Sequence, residues 1–246
     1  MTVDAAAEPQ RSDASAVEAV DSMTPADKPP STPTWTVVIP VKGAPGAKSR
    51  LSPAVGDDAR AVLARAFALD TIAAALGARS VGRVLVVGDD ASLAGAAEFV
   101  PEPAPGVGAA PRGLTAAIRH GIAQARAEAP VAVAVLLGDL PALRPEELDA
   151  ALGAAARHPL AFVRDADGTG TTLATAAAGV AFEPRFGAGS AARHRAAGFA
   201  ELAASDLPGL TRDVDTVDGL ETVLHHGVGD HTAEVVARLA DRKGTT

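Results

Sequence analysis

Apolar and polar positions follow two different periods along residues 35–158. Thr36-Val37-Val38-Ile39 is β-branched and apolar and is closed by Pro40, which predicts a buried strand. From Asp57 to Leu76 the residues Val62, Leu63, Phe67, Leu69, Ile72 and Leu76 recur at helical spacing. Arg83 to Val87 predicts a second strand, ended by Gly88-Asp89-Asp90. A weak helix and a short strand near Phe99 follow, then a Pro/Gly loop from Pro101 to Pro111. Gly113 to Ala129 predicts a helix with Leu114, Ile118 and Ile122 on one face. Val131 to Leu137 is apolar at every position, the pattern of a strand covered on both faces. Gly138-Asp139-Leu140-Pro141 stops it, and Pro145 with Glu146 and Glu147 opens the next helix. This alternation predicts an α/β fold with a doubly wound, mostly parallel sheet. After about residue 158 the pattern changes. Short extended runs, Leu160 to Arg164 and Thr171 to Ala177, alternate with Gly-rich turns and predict a small insertion over the sheet. A strand at Thr211 to Asp215 and helices around Asp218 to His225 and Thr232 to Asp241 complete the chain.

Composition narrows the class. A chain of 246 residues fits one α/β domain with a short appendage. Residues 1–34 hold Pro9, Pro25, Pro29, Pro30 and Pro33, six acids against two bases, and few large apolar side chains. They read as a disordered, acidic, Pro/Ala-rich tail, and 35–246 as the folded domain. The tail has no basic start followed by an apolar core, so it is not a secretory signal. Cysteine is absent, which excludes disulfides, thiolate metal sites, iron–sulfur clusters and a Cys nucleophile. The net charge of −8 argues against nucleic acid as a partner. The longest apolar run, Val131 to Leu137, is far below the roughly 20 residues of a membrane helix, so no membrane partner and a cytoplasmic location are expected. The chain has 58 Ala, and 18 Arg against 4 Lys. Two Lys close together are therefore informative.

Ligands of an open parallel sheet bind beyond the carboxyl ends of its strands. The first strand is followed by Lys42-Gly43-Ala44-Pro45-Gly46-Ala47-Lys48-Ser49-Arg50, where two of the four Lys and an Arg lie among glycines. Glycine admits close backbone approach, and the cations suit phosphates; the alternative is a solvated loop. The spacing is not that of a P-loop. Asp139 directly follows the most apolar strand, where a shielded carboxylate needs a partner such as a divalent cation or serves to cap a turn. Asp213 and Asp215 fall on one side of an extended segment and Val214 on the other; Asp215 can alternatively cap the helix near Asp218. Arg112-Gly113-Leu114-Thr115 opens a helix whose free N–H groups suit an anion or a nucleotide, or simply start a helix. Asp167-Gly168-Thr169-Gly170-Thr171-Thr172 reads as a tight turn with backbone and hydroxyl donors. Gly187-Ala188-Gly189-Ser190 reads as a helix start followed by three potential cations, Arg193, His194 and Arg195, fit for a small anion or for an Arg-bearing surface helix. His225 and His226 are adjacent and read as surface residues. No Gly-x-Ser-x-Gly elbow occurs, and no Gly-x-Gly-x-x-Gly follows the first strand, which disfavours a hydrolase of that type and a nicotinamide enzyme.

Taken together, Ile39-Pro40-Val41-Lys42, Lys48-Ser49-Arg50-Leu51, Gly113-Leu114-Thr115-Ala116-Ala117-Ile118, Gly138-Asp139-Leu140-Pro141, Gly170-Thr171-Thr172-Leu173, Phe186-Gly187-Ala188-Gly189-Ser190 and Asp213-Val214-Asp215-Thr216 carry a resemblance. In order and spacing the chain resembles the phosphoenolpyruvate or 2-phospho-L-lactate guanylyltransferases of coenzyme F-420 biosynthesis, over about residues 35 to 241. The resemblance implies a nucleotide-diphosphosugar transferase (GT-A-like) fold in which the insertion binds the acceptor. It implies Mg²⁺ held by Asp139 and Asp215, and phosphoenolpyruvate contacted by Thr172, Gly187 and Ser190. It places GTP against Lys42, Gly43, Lys48, Arg50, Arg112, Gly113 and Thr115, with Lys42, Asp139 and Asp215 as the catalytic set. Two positions depart from the family's usual pattern: Thr115 stands where relatives often carry Asn, and Val217 where they often carry Pro. The expected reaction moves GMP from GTP to the phosphate of phosphoenolpyruvate and releases pyrophosphate. Alternatives are transfer to 2-phospho-L-lactate or another phosphorylated three-carbon acid, a relative using CTP or a different acceptor, and a catalytically silent nucleotide-binding module.

Overall fold

The computed structural model describes residues 34–41, 52–102 and 113–244. The acidic tail read over 1–34 lies, but for Thr34, outside the described residues, as do Lys42, Gly43, Lys48, Arg50 and Arg112.

In chain order the elements are β1 (Trp35–Pro40), α1 (Ser52–Gly77), β2 (Val81–Gly88), β3 (Glu98–Pro101), α2 (Leu114–Ala125), β4 (Ala132–Leu136) and α3 (Pro145–Ala155). They continue with β5 (Leu160–Arg164), β6 (Thr171–Ala176), α4 (Ser190–Ala196), β7 (Ala200–Glu201), α5 (Pro208–Thr211), α6 (Val217–His226) and α7 (Asp230–Gly244). The seven strands form one sheet in the order β3-β2-β1-β4-β6-β5-β7. Only β6 runs against the rest, pairing antiparallel with both β4 and β5. The sheet is therefore mostly parallel, with helices on both faces.

Alternation along the strands feeds two cores. Val37 and Ile39 of β1, with Leu136 of β4, pack against Ile72 of α1 and Leu148 and Leu152 of α3. Val38, Val87, Val133 and Val135 face Ile118 and Ile122 of α2. Val133 and Val135 are fully enclosed, each burial contributing about 1.5–3 kcal/mol. Gly121 lets α2 settle closely on the sheet: a Cβ there would stand 2.8 Å from Val87 Cγ2 and nearer still to Val38. A third core joins Leu63 and Phe67 of α1 to Val223 of α6 and Val235 of α7. Asp70 of α1 accepts the backbone N–H groups of His231 (3.0 Å) and Thr232 (2.9 Å), which caps α7. Val62 and Leu76, apolar positions in the expected α1 stripe, face outward.

The structure departs from expectation in three places. The segment expected as an insertion over the sheet is instead built into it as β5, β6 and β7. Leu-Ala-Phe-Val and Thr-Thr-Leu-Ala-Thr-Ala carry no charge, so both faces can be covered, and β6 takes the open edge of β4. The strand expected at Thr211 to Asp215 does not form: Thr211 ends the short α5, and 212–216 runs extended outside the sheet. Two acids around one apolar residue leave a single anchor, Val214, which is fully buried. Finally, α2 ends at Ala125, because Arg126 leaves the helix axis to donate to the carbonyls of Val180 (2.7 Å) and Ala177 (3.3 Å).

Candidate active site

The carboxyl ends of β4 and β5 and the start of the antiparallel β6 meet at one edge of the sheet, beside a cleft of about 700 Å³. Asp139 stands three residues beyond β4. Its carbonyl accepts the Val214 N–H at 3.0 Å, so the extended segment 212–216 lies alongside it. With Val214 pinned into the core, Asp213 and Asp215 turn the other way. Carboxylate oxygens of Asp139, Asp213 and Asp215 come within 4.8 Å of one another. Asp139 and Asp213 are half-buried and Asp215 is exposed. The N-caps of the neighbouring helices come from other residues: Thr216 caps α6 by accepting Gly219 N–H at 3.1 Å, and α3 opens on a box between Arg144 and Glu147.

Three hard oxygen donors gathered at this spacing suit a divalent cation of the Mg²⁺, Mn²⁺ or Ca²⁺ kind. The charge of the cleft agrees. Its described lining carries Asp139, Asp165, Asp167, Asp213, Asp215 and Asp218 against Arg212 alone. Asp165 is spent locally: it accepts the backbone N–H groups of Thr169 (2.9 Å) and Gly170 (2.7 Å) and shapes the β5–β6 turn. A phosphorylated ligand enters such a site only with cations to offset the acids.

The other part of the lining is neutral. Gly187, Ser190 and Thr171 border the cleft. Gly187 has a positive φ of 105°, a conformation that favours glycine. Thr172 lies fully buried and is not part of the cleft lining; its hydroxyl finds no partner among the described residues, and its carbonyl accepts Leu137 N–H. Gly113 and Thr115 begin α2, whose first residue, Leu114, reaches the cleft. Of the three potential cations after Ser190, none faces the cleft as a free charge. Arg193 folds back onto the carbonyls of Arg185 (2.9 Å), Phe186 (3.0 Å) and Ala188, and Arg195 pairs with Glu201. His194 is buried, and burial pushes its pKa down to about 4, with the charges of Arg193 and Arg185 adding to the effect.

Sequence reasoning left the part played by Asp213 open and did not single out Thr171 or Arg212 as site residues. The alternation of 213–215 held the signal for Asp213. Thr171 stood within the donor-rich turn, but nothing in the sequence separated it, in the cleft lining, from the fully buried Thr172.

Among solved structures the chain is similar to a protein of Desulfovibrio desulfuricans G20 assigned as a nucleotide-diphospho-sugar transferase. That match has a TM-score of 0.62 and 19% identity and covers 84% of this chain and 95% of the other. It is also similar to a nucleotidyl transferase from Methanothermobacter thermautotroptrophicus, with a TM-score of 0.50, 17% identity and coverage of 78% and 97%. These two likenesses show the fold. The sequence profile of the family described as "Guanylyl transferase CofC like" matches residues 35–241, and the chain belongs to that family. Relatives include the phosphoenolpyruvate guanylyltransferase of Streptomyces scabiei, 51% identical over 212 residues, 83% of this chain and 97% of the relative. That of Streptomyces coelicolor is 49% identical over 210 residues, with the same coverage. Among the described residues, no helix is long and apolar enough to cross a membrane.

Proposed function

We propose that this chain transfers GMP from GTP to the phosphate of phosphoenolpyruvate, giving enolpyruvyl-diphospho-guanosine and pyrophosphate, as a step in coenzyme F-420 biosynthesis. The observation that carries this reading is the gathering of Asp139, Asp213 and Asp215 beside the neutral Gly187–Ser190 border of one cleft. The identity to relatives of that activity along nearly their whole length supports the choice of substrates.

The chemistry needs little from the protein beyond charge and alignment. The acceptor phosphate is ionised near neutral pH and needs no general base. One of its oxygens forms a bond to the α-phosphorus of GTP, and the bond from that phosphorus to the bridging oxygen of the β-phosphate breaks, releasing pyrophosphate. Asp139, Asp213 and Asp215 would hold Mg²⁺, which when bound neutralises phosphate charge and polarises the α-phosphate. Ser190 and Gly187, which border the cleft, are assigned to the acceptor, with Thr172 one position behind the cleft-lining Thr171, and Gly113 and Thr115 to the nucleotide. Lys42, Gly43, Lys48, Arg50 and Arg112 complete the nucleotide set, supplying cations that an acidic cleft requires. Holding two anions in line for attack is the larger part of the catalysis.

The test is pyrophosphate release by the purified full chain with GTP and Mg²⁺, with phosphoenolpyruvate present, absent or replaced by 2-phospho-L-lactate. Release that depends on phosphoenolpyruvate is expected. Release with phospholactate alone, or with neither acceptor, would overturn the assignment.

A further inference from the structure

Behind the neutral border of the cleft lies a buried hydrogen-bond chain. His194 of α4 stacks on Phe162 (centroids 5.6 Å) and meets Phe186 (5.3 Å) and Phe199 (4.8 Å) edge-on. Its Nε2 accepts the backbone N–H of Arg185 at 3.3 Å. Burial keeps the ring neutral near pH 7. A neutral imidazole that accepts at Nε2 carries its proton on Nδ1. Nδ1 lies 3.1 Å from Thr171 Oγ1, so the ring donates and the threonine accepts. Ser190 Oγ lies 3.0 Å from the same oxygen.

The protons can be counted. Thr171 and Ser190 bring one hydroxyl proton each, and the hydrogen bond between them uses one. Thr171 cannot return the other to His194, whose Nδ1 is already protonated. Neither hydroxyl makes a further side-chain hydrogen bond among the described residues. One proton is left to give, and both residues border the cleft. With the opposite tautomer, Nδ1 would take the Thr171 proton, Thr171 would take that of Ser190, and none would remain.

We propose that Thr171 and Ser190 act together as a single-proton donor to the anionic group of the acceptor, and that His194, clamped by the Arg185 amide, is the positioning residue that directs that proton outward. The inference rests on the reading of this cleft as a phosphoenolpyruvate site. It adds Thr171 and His194 to the residues that shape acceptor affinity.

The test compares KM for phosphoenolpyruvate and for GTP in the wild type, Thr171→Val and Thr171→Ser. Loss of one hydrogen bond to a charged ligand raises KM by about 10- to 100-fold. Thr171→Val is expected to raise KM for phosphoenolpyruvate by that factor while KM for GTP stays within about twofold, and Thr171→Ser is expected to restore most of the loss. An unchanged KM for phosphoenolpyruvate, an equal rise for both substrates, or no rescue by serine overturns the proposal. Should Thr171→Val fail to fold, ¹⁵N NMR of the wild-type imidazole decides: a proton on Nδ1 at neutral pH supports the proposal, and one on Nε2 overturns it. A wild type inert towards phosphoenolpyruvate removes the acceptor reading and this inference with it. An active wild type matched by Thr171→Val removes this inference alone.

Discussion

Asp139, Asp213 and Asp215 sit half-buried to exposed on irregular chain outside the sheet, whereas Thr171 and Ser190 are almost wholly enclosed and rooted through His194 in an aromatic cluster. Both groups line one cleft. On the acidic side the Val214–Asp139 hydrogen bond fixes the main chain beside the cleft. The hydroxyls are held by their side chains, through hydrogen bonds that no water competes for. The difference follows from the cost of burial. A carboxylate is costly to bury, and these three line the cleft half-buried to exposed. A neutral hydroxyl gains direction from burial at little cost, provided each bond is met.

The largest break in this comparison is expected at the acids. Asp139→Asn should lower pyrophosphate release by about 10²- to 10⁴-fold, through loss of charge stabilisation at the phosphates. Because the side chain is not part of the core, the thermal melt should be unchanged or slightly raised. A variant as active as the wild type would sever the carboxylates from the chemistry.

The next effect falls on the other side. An unfolded histidine takes up its proton near pH 6.5 and His194 in the folded chain near about 4. Between those values the unfolded state binds more protons, so stability falls as pH drops through the window and is fully present above it. The loss amounts to about 3 kcal/mol at most. Urea unfolding at pH 7 and pH 4.5 should show it, and His194→Phe, which keeps an aromatic ring among Phe162, Phe186 and Phe199, should flatten the slope.

The smallest effect sharpens the contrast between charge and neutrality. Three carboxylates within 4.8 Å repel one another. Adding Mg²⁺ should raise the melting temperature of the wild type, by an amount equivalent to about 1–3 kcal/mol at saturating metal. Asp213→Asn should reduce that rise and, in metal-free buffer, gain about 0.5 kcal/mol from relieved repulsion. Thermal melts of the two proteins with and without metal check both statements.

Local pattern made much of this legible. The period of the apolar positions marks β1, β2, β4, α1 and α3, and the Asp after the most apolar strand marks the ligand edge. What stayed hidden was set by contacts between distant parts of the chain. The company of Asp213 depends on a hydrogen bond between residues 139 and 214. The place of Thr171 at the cleft, beside the fully buried Thr172, depends on how β6 pairs between β4 and β5. The charge state of His194 depends on rings brought from positions 162, 186 and 199. The antiparallel entry of β6 between β4 and β5 is likewise non-local, since both runs look alike as short apolar strands.

That entry of β6 has a consequence for the order in which the chain is completed. During synthesis β5 leaves the ribosome before either of its neighbours in the finished sheet, β6 and β7, and β4 waits for β6. A nascent chain that stops short of residue 176 therefore carries β4 with an unpaired edge, open to other chains. The carboxylate cluster waits longer still, until residue 215 has emerged. A product cut short before residue 215 lacks that cluster altogether.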